Sequence, residues 1–310
     1  MSNPRVNSLK QPSGMYLTAR DRKILYDIYR HDSLLALDHI RLLHFPSRRT
    51  AYERMLKLTK FGYVKHPPMK ERMSMNDQVY WLTCSGAQIA AEFEGTPFED
   101  LDVSLKPRLD RLAHHIPLTN FRIKLTDEVK QNRALELLEW TGQTPFTKHK
   151  EVVKFKNFFG VESKRGIEPD GFVRIEYPAS DYTLRVLIEL DNGTKDNMKI
   201  VNEKVLPALE WFNSNLFVIR AGEKSGRMLF VVHSGRSEDR MFHLKKAIEK
   251  ATDKNAKHFW FTTYDAAMNA RSILFDPIWL RGGSVPPREN EPTIQIKKEV
   301  YKLSPLMHLV

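Results

Sequence analysis

Two segments near the middle of the chain, EPDG at 168–171 and IELDNGT at 188–194, decide the fold of its larger part. Each borders a run rich in β-branched and aromatic residues, at 171–177 and 183–191, and such runs predict two consecutive strands. We expect the strands to be neighbours, so that the carboxylates of Asp170 and Glu189 meet. Carboxylate oxygens can hold Mg²⁺ or Mn²⁺, which can polarise a phosphodiester and lower the pKa of an attacking water. The sequence therefore predicts a metal site at Asp170 and Glu189.

Further elements around these strands predict an α/β alternation around one mixed sheet flanked by helices. We take residues 107–283 as one domain that begins with a long helix. The segment from 284 to 310 is charged and rich in proline, and we expect it to be a loose tail. The predicted elements are a helix at 107–140, a strand at 147–155, a helix at 194–212, strands at 215–220 and 227–233, a helix at 238–251, a strand at 258–262 and a helix at 264–269.

Residues 16–93 predict a winged helix-turn-helix, so the overall fold class is α+β combined with α/β. Thr18 and Asp21 form a capping-box pattern before a first helix at 18–30. Ser33 and Ser47 are expected to cap a second and a third helix. An extended pair at 63–66 and 78–82, joined by a basic loop, completes the order. The preceding residues 1–15 are expected to be flexible, and the acidic segment 94–106 is expected to be a linker.

The third helix would enter the major groove of duplex DNA. Arg48 and Arg49 lie at its N-terminal end and are placed to reach base edges, as arginines do in direct readout. Four further basic residues are expected to bind phosphates: Lys57, Lys60, Lys70 and Arg72. Winged helices also serve as protein-interaction modules, so this alternative stays open.

The charge of the chain is concentrated where DNA binding is predicted. The net charge is +11, and residues 1–83 hold 15 Lys and Arg against 7 Asp and Glu. Such an excess attracts a polyanion, and nucleic acid is the first partner to consider. No apolar run of membrane-spanning length and no secretory leader pattern is present, so we expect no membrane partner and a cytoplasmic location. The single cysteine, Cys84, favours neither a disulfide nor a zinc site.

Pro169-Asp170 followed by Glu189-x-Asp191 resembles the PD-(D/E)xK nuclease core, except that aspartate stands where that motif has lysine. A lysine from the following helix could replace it. A rise of about 1.5 Å per residue from Thr194 favours Lys199 over Lys204. The opposing interpretation is that Asp-Asn-Gly is only a turn and that the acid caps the next helix.

The whole chain is similar to the replication-relaxation family of plasmids and other mobile elements. The resemblance rests on the winged helix with its Leu82-Thr83-x-x-Gly86 ending and on the two acidic segments. It also rests on His115, on the Asn120-Phe121-Arg122 triplet and on the Asp276-Pro277-Ile278-Trp279 run. The family pattern favours Lys204 as the displaced lysine, with Trp211 as the aromatic that follows. The resemblance implies a DNA-binding protein with a nuclease-like second domain.

Three functions follow as hypotheses. The first is a DNA-binding protein that acts in the replication, relaxation or transfer of a mobile element. The second is a metal-dependent endonuclease or nickase, with Asp170, Glu189, Asp191 and Lys204 as catalytic residues and Mg²⁺ or Mn²⁺ as the only cofactor. The third is a transcriptional regulator. The expected partners are double-stranded DNA, a replication or relaxase protein, and a second copy in a homodimer. Four clustered carboxylates would repel one another, so one should be protonated in the absence of metal.

Overall fold

The computed structural model describes residues 15–68, 78–180, 182–224, 226–283, 290–296 and 299–307. The chain divides into two compact units, Met1–Thr119 and Asn120–Val310. The first unit is mainly helical and the second is built on a large mixed sheet. The α+β class with a mixed sheet flanked by helices is therefore confirmed.

The first unit has three helices before a strand pair, in the order predicted from the sequence. An additional strand, β1, precedes α2 and joins the pair in an antiparallel sheet of order β1-β3-β2. Predicted contacts Lys70 and Arg72 lie outside the described residues. The elements are α1 (Ala19–Arg30), β1 (Leu34–Ala36), α2 (Leu37–His44), α3 (Arg48–Lys60), β2 (Val64–Lys65), β3 (Val79–Leu82) and α4 (Cys84–Glu94).

Local capping explains where the helices of the first unit begin. The capping box of Thr18 and Asp21 is confirmed, because each side chain bonds the backbone N–H of the other. Ser47 caps α3 as predicted, since its hydroxyl accepts from the Thr50 amide. The prediction for Ser33 is wrong. Ser33 has a positive φ of 68° and precedes β1, and α2 begins after Ala36.

The segment predicted to be a linker is packed in the first unit. Leu101 is buried in the core of that unit, and Phe98, Val103 and Leu105 pack against the same core. The acidic composition of this segment predicted a linker, although the segment also contains the apolar residues that pack in the core. The division between the two units instead falls inside a later helix, α5 (Leu112–Gln131).

The second unit contains an eight-stranded sheet among its described residues, in the order β12-β13-β11-β10-β9-β8-β7-β4. Strands β8, β9 and β10 are parallel, and the other pairs are antiparallel. Strands β5 and β6 form a separate ribbon. The elements after α5 are β4 (Glu136–Gly142), α6 (Gln143–Lys148), β5 (Val152–Lys156), β6 (Glu162–Gly166), β7 (Gly171–Tyr177), β8 (Tyr182–Asp191), α7 (Asn197–Ile200), a π-helical turn (Val201–Val205), α8 (Leu206–Asn213), α9 (Asn215–Ala221), β9 (Arg227–Val232), α10 (Ser237–Thr252), β10 (Phe259–Thr263), α11 (Tyr264–Asn269), β11 (Trp279–Arg281), β12 (Thr293–Ile296) and β13 (Glu299–Ser304).

Two predicted elements of this unit have the wrong bounds, and a third is wrong in type. The long helix ends at Gln131, and residues 136–142 pair with β7 as a strand. Residues 147 and 148 belong to a helix, so the strand predicted at 147–155 begins only at Val152. The strand predicted at 215–220 is the helix α9, because the Ser214 hydroxyl caps it by accepting from the Phe217 amide.

The C-terminal segment also differs from its prediction as a loose tail. Strand β13 pairs with β11 through Trp279 and Leu280, and β12 pairs with β13. Tyr301 is buried in the main core. The prolines at 286, 287 and 292 precede these strands, which explains why composition alone suggested a loose segment.

One hydrophobic core of the second unit lies between the sheet and the helix that follows β8. Trp211 is fully buried, and its ring packs against Phe172 and Phe217. Strand β8 is buried from Leu184 to Asp191, as expected for a central strand covered on both faces. This packing fixes the carboxyl end of β8, where the acidic residues lie.

Candidate functional site

The two predicted metal ligands lie side by side at the junction of β7 and β8. Gly171 is opposite Ile188 in the antiparallel register. The Asp170 amide donates to the Ile188 carbonyl at 3.0 Å, and the Asp170 Oδ2 atom accepts from the Leu190 amide at 2.8 Å. Both Asp170 and Glu189 are buried. The backbone thus holds two carboxyl groups on adjacent strands, as the sequence predicted.

A lysine from the helix after β8 completes this cluster. Lys204 lies in the π-helical turn, and its Nζ atom is 3.0 Å from Glu189 Oε2 and 2.6 Å from the Glu168 carbonyl oxygen. Lys199, the alternative favoured by helix rise, is exposed. The structure therefore brings Lys204, and not Lys199, to the carboxylates.

The electrostatics of the cluster are dominated by burial. Burial, and after it the neighbouring Asp170 charge, raise the pKa of Glu189 to about 7 against the opposing effect of Lys204. Burial alone would lower the pKa of Lys204, but Glu189 and Asp170 outweigh it, so this pKa lies above its usual value. Near neutral pH the ammonium of Lys204 is therefore charged, and the carboxyl of Glu189 is partly protonated. This agrees with the expectation that one acid of the cluster is protonated when no metal is bound.

The other two acids of the expected cluster face other cations. Asp191 accepts from Arg240 Nε at 2.7 Å, and Glu168 pairs with Lys150 at 2.6 Å. Asp191 also accepts from the Gly193 amide at 3.0 Å, so the turn interpretation of Asp-Asn-Gly is confirmed. The helix cap is not Asp191. Asp196 accepts from the first amides of α7.

Arg240 was missed by the sequence analysis. It lies in α10, 49 residues beyond Asp191, and nothing in its local sequence indicates the contact. Its guanidinium also donates to the Lys195 carbonyl at 2.6 Å. Arg240 thus ties the end of β8 to the loop before α7 and neutralises one of the four acids.

The donor chemistry of Asp170 and Glu189 fits a hard divalent cation, because both groups offer carboxylate oxygens. In the described parts of the chain, no group of three or more His, Cys, Asp or Glu residues is arranged to hold a metal ion. A cation between these two carboxylates would therefore need water or backbone carbonyls for its remaining ligands. Mg²⁺ is commonly bound in this way, with few protein carboxylates and several waters.

The predicted DNA contacts on α3 lie on its solvent face. Arg49 has 87% of its side chain exposed and pairs with its helix neighbour Glu53, at 2.9 Å. Arg48 is 57% exposed and is 3.2 Å from Asp38. Lys57 and Lys60 are exposed further along the helix. The helix thus presents four basic side chains to solvent.

Two buried acids fix α3 and α2 to α1. Asp21 is fully buried, and both its oxygens accept hydrogen bonds from the Arg54 guanidinium, which reaches it from α3. Asp27 contacts Lys23 at 2.8 Å and His44 at 3.0 Å. Burial opposes ionisation of both acids, but these hydrogen bonds hold the pKa of each below its usual value. Arg54 was missed by the sequence analysis because its partner is 33 residues away.

The replication-relaxation family model matches residues 25–206, which is more than half of the chain. The chain belongs to the replication-relaxation family. Membership indicates a role in the replication or relaxation of a plasmid or another mobile element. The matched segment runs from α1 to the helix after β8 and includes α3, Asp170, Glu189 and Lys204. The comparisons find no similar curated protein and no similar solved structure.

Other residues behind the replication-relaxation resemblance have structural contacts. In the first unit, the His115 Nε2 atom is 2.9 Å from the Leu34 carbonyl. In the second, Asn120 donates to the Tyr264 hydroxyl at 2.9 Å, and Arg122 stacks over the Trp140 ring. Asp276 accepts from the backbone amide of Arg271 at 2.9 Å. These motif positions stabilise the two units.

None of the helices in the described parts of this replication-relaxation protein combines the length and the hydropathy that crossing a membrane requires.

Proposed function

We propose that this replication-relaxation protein binds duplex DNA through its first unit, as a winged helix, and acts in the replication, relaxation or transfer of a mobile element. The observation that carries the proposal is the exposed basic face of α3, held in place by a buried pair. The element order of the first unit supports it, since three helices and a strand pair place the third helix for the major groove.

The roles of the residues follow from their positions on α3. Arg48 and Arg49 lie in its first turn, where a recognition helix contacts base edges. Their pairs with Asp38 and Glu53 are exposed, and exposed pairs are weak enough to be exchanged for a DNA contact. Lys57 lies two turns further on and would bind a phosphate. Asp21 and Arg54 would keep this face from moving when DNA binds.

Duplex binding is tested by fluorescence anisotropy with a labelled duplex over a series of salt concentrations. The variant Arg49→Ala plus Lys57→Ala should weaken binding, through the base contact of Arg49, and should reduce the slope of log affinity against log salt by about 0.9, through the phosphate contact of Lys57. The matched control is Lys106→Ala plus Arg111→Ala, which removes the same charges from exposed positions outside α3. Equal affinities for the two variants would contradict the proposal.

A second candidate function is metal-dependent nicking of DNA in the second unit, and the contact of Lys204 with Glu189 favours it. A bound Mg²⁺ would supply Lewis-acid polarisation of a phosphodiester. Asp170 and Glu189 would hold the cation, and Lys204 would orient Glu189 and add positive charge beside the scissile phosphate. Arg240 keeps Asp191 out of this arrangement.

Nicking is tested with supercoiled plasmid and Mg²⁺ or Mn²⁺. Asp170→Asn and Lys204→Met should each abolish the formation of nicked circles. Lys199→Met is the matched control, because it removes an exposed lysine from the same helical segment. A plasmid that stays supercoiled with the unsubstituted protein would exclude nicking and leave DNA binding as the function. Mapping the bound sequence to a promoter instead of an origin would favour transcriptional regulation.

A further inference from the structure

The ribbon of β5 and β6 stands apart from the main sheet of the second unit and carries an excess of positive charge. On its inner face Val153 and Phe155 are buried, and β5 packs on α8. Its outer face is exposed and carries Lys154, Lys156 and Lys164. This alternation follows from the period of two along a strand. The outer face therefore has no protein layer over it within the described residues.

Two of these lysines face each other directly. Lys154 is opposite Lys164 in the antiparallel register, whereas Lys156 is opposite Glu162. Like charges in directly opposed positions destabilise a strand pair. In the described structure no acid lies within ion-pair distance of Lys154 or Lys164. The pair therefore costs stability in the free protein and would be relieved by an anion.

The tip of the ribbon exposes apolar side chains beside these charges. Phe159 is 76% exposed and Val161 is 59% exposed, although both lie at a tight turn closed by the Asn157 side chain. The tip is held, because the neighbouring Phe158 amide donates to Asn202 at 2.8 Å. An exposed aromatic ring near lysines is the combination that contacts single-stranded nucleic acid through base faces and phosphates.

Ion pairs connect the ribbon and the segment before it to the candidate site. Arg165, on the inner face, is 3.4 Å from Glu203 in the π-helical turn that contains Lys204. Lys150, which precedes β5, pairs with Glu168, and Pro169 alone separates Glu168 from Asp170. Two ion pairs thus connect the ribbon that carries the outer lysines, and the residue before it, to the segments that contain Asp170 and Lys204.

We propose that the β5–β6 ribbon is a second DNA-binding element, in which Lys154 and Lys164 bind the phosphate backbone. Charge complementarity commits the surface to this occupant. A cleft of about 680 Å³ along the ribbon is lined by Glu162 and Glu210 as well as by lysines. Because these acids would repel phosphates, we place the DNA contact at Lys154 and Lys164, which have no acidic partner among the described residues. The proposal rests on the DNA binding proposed above but uses a different surface. It assigns to the ribbon the role of keeping DNA beside the candidate site.

The test measures the affinity of the full chain for a labelled duplex of random sequence over a salt series. Lys154→Ala plus Lys164→Ala should lower the salt slope by up to about 1.8 and the affinity at least tenfold at low salt. The same variant should keep or raise the melting temperature, because it removes a like-charge pair. A matched control, Lys254→Ala plus Lys257→Ala, removes two exposed lysines from another part of the unit and should leave the slope unchanged.

The outcomes separate this inference from the DNA binding proposed for α3. If the ribbon variant and its control bind with the same slope, while the α3 variant is weakened, the ribbon proposal is overturned and the proposed function stands. If the unsubstituted protein binds no duplex, both fail. A labelled single strand provides a further arm. A larger loss with the single strand, together with weaker binding by Phe159→Ala, would place unpaired bases at the tip.

Discussion

Replacing Arg54 with methionine should destabilise the first unit far more than the partial exposure of its side chain, 24%, suggests. The substitution keeps the length of the side chain but leaves the Asp21 carboxylate buried without its cation. Removing one partner of a buried ion pair costs about 3–5 kcal/mol. Asp21 keeps two hydrogen bonds from Thr18, at 2.7 and 2.6 Å, so we expect a loss of about 3 kcal/mol, the lower end of that range.

The pH dependence of this loss has a defined sign. The pKa of Asp21 lies below its usual value in the folded protein, so the stability from its pairing is present above the pKa of the unfolded chain and is lost as pH falls. The Arg54→Met variant should therefore lose the most near neutral pH. Its deficit should shrink in acid, where Asp21 is protonated and no longer needs the cation.

Hydrogen exchange followed by mass spectrometry measures the effect locally, on peptides from α1 and α3. Amides there should exchange about 100-fold faster in the variant, while peptides from the second unit stay unchanged. Arg49→Met is the matched control, because Arg49 is on the same helix and also has an acidic partner, yet is exposed, and we expect no measurable change. Adding Asp21→Asn to Arg54→Met should restore part of the stability. Exchange in Arg54→Met at the rate of the unsubstituted protein would refute the buried-pair argument.

Two further predictions concern a glycine of the first unit and the acid of the candidate site. Gly86→Ala should cost about 3 kcal/mol, the upper end of the usual overpacking range, since its Cβ would lie 2.0 Å from the Tyr63 carbonyl oxygen. The control Gly235→Ala adds a Cβ that meets no atom within 4 Å and should leave the urea unfolding curve unchanged. For Glu189, the pKa in the folded protein is about 7, above the ordinary value of 4.5 expected in the unfolded chain. Protonation therefore stabilises the fold, and the free energy of unfolding should fall by about 3 kcal/mol as the pH rises from 4.5 to 7. Glu189→Gln should remove this pH dependence; pH profiles of stability that are equal for the two proteins would count against the buried acid.

Local signals predicted the elements that capping and alternation define. Thr18 and Ser47 predicted the starts of their helices because a cap acts within three residues. Strands β7 and β8 were predicted from continuous runs of β-branched and aromatic residues. The same kind of signal gave the wrong element at residues 215–220. Their run of Leu, Phe, Val and Ile favours a strand, but the segment is a helix capped by Ser214. Helix–strand ambiguity of this kind is expected for short apolar runs.

Contacts between distant residues could not be predicted from the sequence. The pairs Asp21–Arg54 and Asp191–Arg240 join residues 33 and 49 positions apart, and many arginines would have been equally eligible. The competing lysines show the same limit. Rise along a helix favoured Lys199, but rise carries no information about direction around the axis, and the structure turns Lys204 toward Glu189.

The π-helical turn that carries Lys204 has a consequence for how relatives of this chain can differ in length. Such a turn holds one residue more than an α-helical turn and is often found at functional sites. Deleting one residue from Val201–Val205 would convert this turn into an α-helical one and leave the helices on either side in register, because the turn already accommodates one extra residue. The ring of Trp211, beyond the turn, would stay in the core, whereas Lys204, inside the turn, would change its direction around the helix axis. A homologue one residue shorter in this stretch would therefore keep the core and lose the position from which Lys204 reaches Glu189.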